Sequence, residues 1–468
     1  MLAWLMVAPA TAAEWTLRAT LDHALAHNIE LRQDDLDLRT SQASVVIARA
    51  DRGPTLSADT SVSGYFDAAA PDATDDGAAW SLGVSQPLPT GGTVWLGGSQ
   101  SHSSVEHFAG RLTPDASAYT FTGLTIDQPL LDGAWRSARY AVDDARLGLR
   151  AVELRVRDAK ERLVVEVATA YWQLIAAREG TRLAVRSVEI AEAQLGDTRE
   201  RFDEGFAGSG DVLQLERALG VARQSRVVAE AAERGAARRL ARLMGLPLED
   251  AAVLDLVDRP DPPAADPDPV AALAEAREAN AVYRLATLDV DDARRGLAEA
   301  RSAALPDLSV SAAVGLSATT GGTDALSTLT TNPDRAWAVG ASLTVPLAWA
   351  GPRAALEQGR IGLSRAELGA EAAWQDLVAQ VQAALDAVGR DRVRVALAEQ
   401  TRLAAQAGLA ADQELYREGR GSTRDVVRSL ELLEEAQVAG LAAQIDLQAS
   451  LLDIARLRGR VLLDLGVP

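Results

Sequence analysis

The sequence predicts a mainly α fold with a transmembrane β part, in which long helical hairpins occur twice in one chain. Two observations carry this prediction. First, FDEGFAGSGDVL at 202–213 recurs as YREGRGSTRDVV at 416–427, 214 residues further on. Second, the apolar residues of each copy follow a helical period, except in one region per copy where they alternate along strands. An internal repeat of this length constrains the architecture more than any local motif does.

The repeat also sets the domain boundaries. We expect a first structural repeat over 14–258, with strands within about 55–130, and a second over 270–468, with strands within about 306–346. Residues 259–269 are proline-rich and predict an extended linker. Matches 252 residues apart join the front ends of the copies: Asn28 with Asn280, Arg49 with Arg301, and Pro54 with Pro306. Because the two spacings differ, the first copy holds about 38 extra residues.

Three helices are predicted in each copy: about 21–52, 136–203 and 212–244, then about 271–304, 353–417 and 426–458. Apolar residues at steps of four and three form a narrow seam on the long helices, typical of coiled-coil packing. The seam residues are Leu163, Val167, Ala170, Leu174 and Ala177, and then Leu377, Val381, Ala384, Val388 and Asp391. Hairpins of this kind have little three-dimensional core, so the seam must be buried against neighbours. We therefore expect a homo-oligomer.

Strands are predicted where the apolar period changes from 3.6 to 2. From Leu56 to Phe66, from Leu308 to Leu316 and over 337–345, apolar residues alternate with small or polar ones. Few charges and one apolar face are typical of transmembrane β-barrel strands. Residues 80–86 and 93–100 predict an extra hairpin that accounts for most of the surplus. The aromatic residues near predicted strand ends are expected to form a girdle: Tyr65, Phe66, Trp80, Tyr119, Phe121 and Trp337.

One chain has too few strands to close a barrel. Because unpaired strand edges are not tolerated in lipid, closure across subunits would be required. No segment after residue 13 reaches 18 consecutive apolar residues, so we expect no membrane-spanning helix. Residues 1–13 combine an apolar run with small residues ending at Ala13, which predicts a cleaved signal peptide. The alternative for this segment is a short buried N-terminal helix.

Composition argues against several classes of function. The chain has 468 residues, no cysteine and a net charge of −19 at pH 7, which argues against thiol chemistry and a nucleic-acid partner. It lacks a phosphate-binding glycine loop, an HExxH motif and a nucleophile motif. We therefore expect no enzyme activity, no cofactor and no metal site. His23 and His27 have the i, i+4 spacing of metal ligands, but we interpret them as part of a helix surface.

Taken in order, these features resemble the TolC-like outer-membrane efflux channel family, the outer membrane factors. The resemblance covers about 14–468 and rests on the N-terminal Trp15-Thr16-Leu17 and Ala24-Leu25-x-x-Asn28, two Pro-Leu strand-to-helix turns and two glycine-containing hairpin tips. It implies a homotrimer whose strands form one β-barrel in the outer membrane and whose helices form an α-barrel in the periplasm. The implied partners are a periplasmic adaptor protein and an inner-membrane pump of RND, ABC or MFS type. The implied function is the exit duct of a tripartite efflux system for small molecules, opened like an iris at the helical tips.

Two alternatives stay open. The same fold serves as the outer-membrane channel of type I protein secretion, and nothing in the sequence separates that function from small-molecule efflux. A periplasmic coiled-coil scaffold that never enters a membrane would explain the helices. It would not explain the uncharged alternating strands at matching places in both copies.

The resemblance also implies functional residues at the tips. The pore constriction falls on Asp425 and on Arg428, which stands where the family has a second acid. The interhairpin latch falls on Asp211 and Tyr416, with Arg420 or Arg424 as its basic member. Adaptor-docking positions fall on Gly205, Ser209 and Val212 in the first tip, and on Gly419, Thr423 and Val426 in the second. Helix capping alone also explains these residue types, because glycine ends one helix and serine or aspartate caps the next.

Overall fold

The computed structural model describes residues 14–67, 70–106, 115–131, 139–258, 268–321 and 325–466. The predicted signal peptide and most of the predicted linker lie outside these ranges. The described helices are α1 (Leu17–His27), α2 (Ile29–Ala50), α3 (Tyr140–Asp203), α4 (Ser209–Met244), α5 (Pro269–Ala279), α6 (Ala281–Ala303), α7 (Ala325–Thr331), α8 (Ala350–Arg417), α9 (Thr423–Leu457) and α10 (Val461–Asp464). The described strands are β1 (Glu14–Trp15), β2 (Thr55–Asp67), β3 (Ala70–Pro87), β4 (Thr93–Glu106), β5 (Asp115–Pro129), β6 (Asp255–Leu256), β7 (Asp307–Thr320) and β8 (Asp334–Thr344).

The chain divides into two compact units. The helical unit comprises the described residues of Met1–Leu38, Glu153–Ala286 and Ala370–Pro468, and the sheet unit comprises those of Arg39–Val152 and Thr287–Gly369. Each structural repeat therefore contributes residues to both units.

A buried asparagine interrupts the first helix of each copy, so the single helices predicted over 21–52 and 271–304 are wrong. Asn28 has extended backbone angles, donates its side-chain amide to the Leu243 carbonyl oxygen at 3.0 Å and accepts from the Leu31 amide at 3.0 Å. Asn280 repeats this arrangement with Leu457 at 3.2 Å and Tyr283 at 3.0 Å. The side chain caps the new helix, a role that the helical period does not reveal.

A glycine fixes the other side of this junction in each copy. Gly245 and Gly459 have φ of 72° and 65°, the left-handed conformation that ends a helix. A Cβ atom on Gly245 would lie 2.5 Å from the His27 carbonyl oxygen, and one on Gly459 would lie 2.8 Å from the Ala279 carbonyl oxygen. Only glycine permits this close approach of two backbones.

The predicted seam is confirmed in the helical unit. Leu163, Val167, Ala170 and Leu174 are buried in one apolar cluster, and Leu377, Val381, Ala384 and Val388 are buried in another, whereas the predicted seam residue Ala177 is only half-buried. Asp391, at the end of the second seam, is buried too and is 1% exposed. Its carboxylate accepts hydrogen bonds from Ser450 at 2.5 Å and from Arg390 and Arg394 at 3.1–3.3 Å.

One helix of the described residues is long and apolar enough to cross a membrane by length and composition. It lies within α9, over Arg424–Leu457, with a mean hydropathy of 1.2 in its most apolar window and 28% of that window buried. The criterion of 18 uninterrupted apolar residues missed it, because charged residues interrupt its apolar runs. Core helices of soluble units pass the same test, and Ala443, Leu447 and Ile454 are buried against neighbouring helices.

The sheet unit contains a six-stranded antiparallel sheet in the order β2-β3-β4-β5-β7-β8. The predicted extra hairpin is confirmed as β3 and β4, which lie between β2 and β5 and pair along their whole length. The five-residue turn between them, Leu88 to Gly92, lies at the end of the sheet where the helices also connect. Helix α7, which was not predicted, contacts β5 and β7.

Candidate functional site

The strand register gives the sheet two faces of opposite character. One row of apolar side chains crosses all six strands: Leu56, Val84, Leu96, Leu124, Val314 and Trp337. We call the face that carries this row the apolar face. Its side chains are open to solvent in the single chain, with Leu56 74% exposed and Trp337 79% exposed. An uncovered apolar surface of this extent marks a membrane or protein contact.

The opposite face is polar and small, as the alternation predicted. A row of residues with a small side chain or none, which we call the glycine row, crosses it: Ser57, Gly83, Gly97, Gly123, Gly315 and Ala336. The Trp95 ring fills the space beside Gly83 and Gly97, and the Phe121 ring fills the space beside Gly123 and Gly315. Aromatic side chains lying over strand glycines are a known device for pinning register in a strongly curved sheet.

This geometry corrects part of the predicted girdle. Tyr119 and Phe121 belong to the polar face, because they share parity along β5 with Gly123 rather than with Leu124. Trp80 and Trp337 lie on the apolar face. Alternation along one strand cannot assign an aromatic side chain to lipid until the register with neighbouring strands is known.

The sheet has two open edges, because each of its outermost strands lacks a neighbour on one side. β2 pairs only with β3, and β8 pairs only with β7, among the described residues. Each edge strand therefore presents unpaired backbone amides and carbonyls along one side, which is a template for a strand from another chain.

The two tips of the helical unit close in the same way. Gly205 and Gly419 have φ of 83° and 73° and end α3 and α8. At the first tip the Gly208 amide donates to the Asp211 carboxylate at 3.0 Å. At the second tip the Ser422 amide and hydroxyl donate to the Asp425 carboxylate at 3.3 and 2.6 Å. The second tip is a capping box, because the Asp425 amide also donates to the Ser422 hydroxyl at 3.3 Å. The first tip has only half of one, since Gly208 has no side chain to accept from the Asp211 amide. Capping nevertheless accounts for both aspartates within one chain.

The predicted constriction residues are both exposed. Hydrogen bonds from Ser422 hold the pKa of Asp425 below its ordinary value, and the positive charges of Arg424 and Arg428 act in the same direction. Asp425 therefore carries its negative charge at neutral pH. Within the described residues, Arg428 forms no direct ion pair with it.

The predicted latch residues are not brought together within one chain. The Tyr416 hydroxyl lies 3.0 Å from the Thr198 hydroxyl, and the Arg201 guanidinium lies 4.5 Å from the centre of the Tyr416 ring. Arg420 pairs with the adjacent Glu418 at 3.3 Å. Thr198 is 1% exposed, and its contact with Tyr416 carries no signal in the sequence.

Of the predicted docking positions, Gly205, Ser209 and Gly419 are exposed and Val212 is half-buried. Val426 is only 4% exposed, because it packs inside the tip. The structure adds Phe206, which follows the first tip glycine and is 83% exposed. An aromatic side chain this exposed is a typical anchor for a protein partner. Phe206 aligns with Arg420 in the second copy, so comparison of the two copies did not identify it as a docking position.

The described residues contain no cluster of three or more potential metal ligands among histidine, aspartate and glutamate. The rings of His23 and His27 stack at 4.1 Å, and the Nδ1 atom of each lies near a backbone carbonyl oxygen. Burial, with the nearby His27, lowers the pKa of His23. These two side chains are therefore engaged with the protein itself.

Comparison with known proteins places this geometry in a family. The family model described as "Outer membrane efflux protein" matches residues 93–246 and 272–460. The alkaline protease secretion protein AprF of Pseudomonas aeruginosa is 31% identical over 153 residues, which are 31% of this chain and 29% of AprF. The outer membrane protein TolC of Vibrio cholerae is 22% identical over 347 residues, which are 74% of this chain and 78% of TolC.

Solved structures show the same fold. The outer-membrane channel OprN superimposes with a TM-score of 0.73 at 20% identity, covering 95% of this chain and 89% of that one. The family match extends over both repeats and includes β4, β5, β7 and β8 and all the long helices. The chain therefore belongs to the outer membrane efflux protein family.

Proposed function

We propose that three copies of this chain form an outer-membrane channel that serves as the exit duct of a tripartite efflux system for small molecules. The observation that carries the proposal is the six-stranded sheet, which has one uncovered apolar face, one small polar face and two unpaired edges. Such a sheet is stable in lipid only when its edges are paired. Pairing β8 of one chain with β2 of the next satisfies both edges and turns every apolar face toward lipid.

Six strands from each of three chains make a barrel of eighteen. Strands about 4.8 Å apart and tilted by about 40° would give a barrel about 36 Å across between backbones. Barrels of 16–18 strands leave a water-filled channel. The serine- and glycine-rich polar face would line it, so a hydrated solute would meet mostly small polar side chains there, together with the rings of Trp95, Tyr119 and Phe121.

Control of the channel is assigned to the tips of the helical unit. A ring of three Asp425 carboxylates would attract cations and repel anions in the closed state. A periplasmic adaptor would bind the exposed tip residues, including Phe206, and an inner-membrane pump of RND, ABC or MFS type would supply energy. An adaptor that binds the open tips more tightly than the closed tips shifts the population by that difference in affinity. No step in this mechanism requires enzyme activity.

Type I protein secretion is the second candidate function. It is favoured by the similarity to AprF, whose name records secretion of an alkaline protease. The two functions differ in what is lost when the gene is deleted. Small-molecule efflux predicts raised intracellular accumulation of a fluorescent dye, and protein secretion predicts a polypeptide missing from the culture medium.

The first experiment measures the mass of the detergent-extracted particle from the outer-membrane fraction. Three protomers are expected. A soluble periplasmic monomer or dimer would show that the strands form no barrel, and the scaffold function would replace the channel.

Edge pairing can then be mapped by disulfide cross-linking. Native cysteines cannot contribute background cross-links, because the chain has none. Ser61→Cys in β2 is combined in turn with Ala336→Cys, Ala338→Cys or Gly340→Cys in β8. One register is expected to give covalent dimers and trimers on non-reducing gels. Ser101→Cys in the interior strand β4 with the same β8 partners is the matched control, and intermolecular cross-links there instead of at β2 would contradict the proposed closure.

A further inference from the structure

A basic cavity of about 600 Å³ lies in the sheet unit, at the end of the sheet where strands connect to helices. Four arginines line it: Arg49, Arg52, Arg139 and Arg146. Arg49 lies at the end of α2, Arg52 lies just before β2, and Arg139 and Arg146 lie at the start of α3. Two segments that are far apart in sequence thus bring guanidinium groups to one place.

The charge of this cavity is not balanced by the protein. Asp143 is its only carboxylate and lies 3.5 Å from the Arg146 guanidinium. Arg49, Arg52 and Arg139 form no ion pair within the described residues. Like charges held close together repel one another, so this arrangement favours a bound anion. The cluster is the more notable because the whole chain carries a net charge of −19.

Two consecutive residues of β3 line the cavity: Pro87, on the side of the polar face, and Gln86. Its side chain has the same parity on β3 as Val84 and so belongs to the apolar face. The Gln86 amide donates to the Arg52 carbonyl oxygen at 2.9 Å and lines the cavity. The cavity therefore lies where the apolar face ends. In the proposed channel, that level is the boundary between acyl chains and the periplasm.

The internal repeat gives an independent observation. Arg49, Arg139 and Arg146 correspond to Arg301, Arg353 and Arg360 in the second copy, and Asp143 corresponds to Glu357. Arg360 and Glu357 pair at 3.4 Å, as Arg146 and Asp143 do at 3.5 Å. Surface positions on these helices differ between the copies at most other places. Three of the four arginines are nevertheless present at the corresponding junctions of both copies, whereas Arg52 corresponds to Ala304.

We propose that these arginines form a phosphate-binding site at the periplasmic boundary of the membrane. The planar guanidinium group binds phosphate oxygens with paired hydrogen bonds and stays charged at any physiological pH. The phosphate belongs either to the headgroup of an anionic phospholipid or to free phosphate. The position at the end of the apolar face predicts the phospholipid, because one molecule then satisfies both the charge and the adjoining apolar surface. This inference rests on the membrane placement in the proposed function.

The test uses the detergent-purified oligomer of the full chain and native mass spectrometry. The probes are dioctanoyl phosphatidylglycerol, dioctanoyl phosphatidylcholine and inorganic phosphate. The variant is R49Q/R52Q/R139Q, which leaves the Asp143–Arg146 pair in place. The matched control is R226Q/R234Q/R238Q, which removes three exposed arginines from α4. Particle mass and helix content confirm that each variant is assembled.

We expect the wild type and the control to bind phosphatidylglycerol. The R49Q/R52Q/R139Q variant should bind it at least tenfold more weakly, since each arginine near a lipid surface contributes about fivefold. Retained binding of inorganic phosphate with no preference for phosphatidylglycerol would assign the site to free phosphate. Equal binding of all probes by the variant and the wild type would overturn the site. A wild-type particle that is trimeric yet shows no phosphate binding would leave the channel proposal intact, so the two failures are distinguishable.

Discussion

The Tyr416 hydroxyl and the Thr198 hydroxyl lie 3.0 Å apart and join α8 to α3 beside the tips. Tyr416→Phe removes this hydrogen bond and keeps the ring under Arg201. A neutral hydrogen bond contributes about 1 kcal/mol, or about a fivefold shift between two conformations. If separation of the tips opens the channel, we expect the variant to show more frequent opening in single-channel recordings from planar bilayers. Tyr283→Phe, in α6, is the control and should leave the recordings unchanged. Equal opening frequencies in Tyr416→Phe and Tyr283→Phe would show that the Tyr416 hydroxyl does not help to hold the tips closed.

Asp425 is expected to set the ion selectivity of the closed channel. Because its pKa is held below the ordinary value by Ser422, three negative charges would surround the axis at neutral pH. Asp425→Asn should lower the preference for potassium over chloride, measured as a smaller reversal potential in a salt gradient. Asp453→Asn, further along α9, should not change it. An unaltered reversal potential in Asp425→Asn would leave this residue with its capping role alone.

The junction asparagines are expected to be the most sensitive polar residues of the helical unit. Asn28→Ala leaves the Leu243 carbonyl and the Leu31 amide without their partner in a buried place, which costs about 1–3 kcal/mol. Asn280→Ala should cost a similar free energy, and both variants should lower the apparent midpoint of thermal unfolding. Asn332→Ala, at an exposed site after α7, provides the control. Asn28→Asp should recover part of the loss, because the carboxylate still accepts from Leu31.

Asp391 should make part of the stability depend on acid pH. Burial alone would raise the pKa of this carboxyl, but hydrogen bonds from Ser450, Arg390 and Arg394 outweigh it and lower the pKa below 3.8. A lowered pKa stabilises the folded state above the unfolded value and loses that effect as pH falls through the folded value. We therefore expect the stability difference between wild type and Asp391→Asn to be constant near neutral pH and to shrink below about pH 4. A difference that persists unchanged at pH 2 would assign the effect to packing rather than charge.

The glycine row can be tested with two neighbouring residues. A Cβ atom on Gly97 would lie 2.3 Å from the Leu82 carbonyl oxygen, whereas one on Gly98 would have no atom closer than 3.5 Å. Gly97→Val should therefore abolish insertion into the outer membrane, while Gly98→Val, on the apolar face, should insert normally. Fractionation followed by immunoblotting measures both. Normal insertion of Gly97→Val would show that the sheet relaxes around an added side chain.

Much of this fold follows from periodicity. The repeat gave two copies of each helix, and alternation placed Leu56, Val314 and Trp337 on one face before any register was known. The breaks at Asn28 and Asn280 did not follow, because the apolar period continues across them. Their cause is a side chain that pairs with Leu243 or Leu457, more than 170 residues away in sequence.

The tips were predicted in position but not in contact. Gly205, Asp211, Gly419 and Asp425 stand where glycine and aspartate were expected to end and cap helices. The Tyr416–Thr198 bond could not be predicted, because it depends on which faces of α3 and α8 meet. Phe206 was not predicted for a different reason. It aligns with the charged residue Arg420, and a comparison of the two copies identifies only residues that are similar in both.

The β3–β4 hairpin has a consequence for how such a channel can change over time. Inserting two antiparallel strands leaves β5 running in its original direction, so every later element keeps its polarity and its side of the membrane. An insertion of one strand would reverse them all. In the proposed trimeric barrel, the bore would therefore grow or shrink by gain or loss of a single hairpin in one gene, multiplied threefold by symmetry, without any compensating change in the rest of the chain.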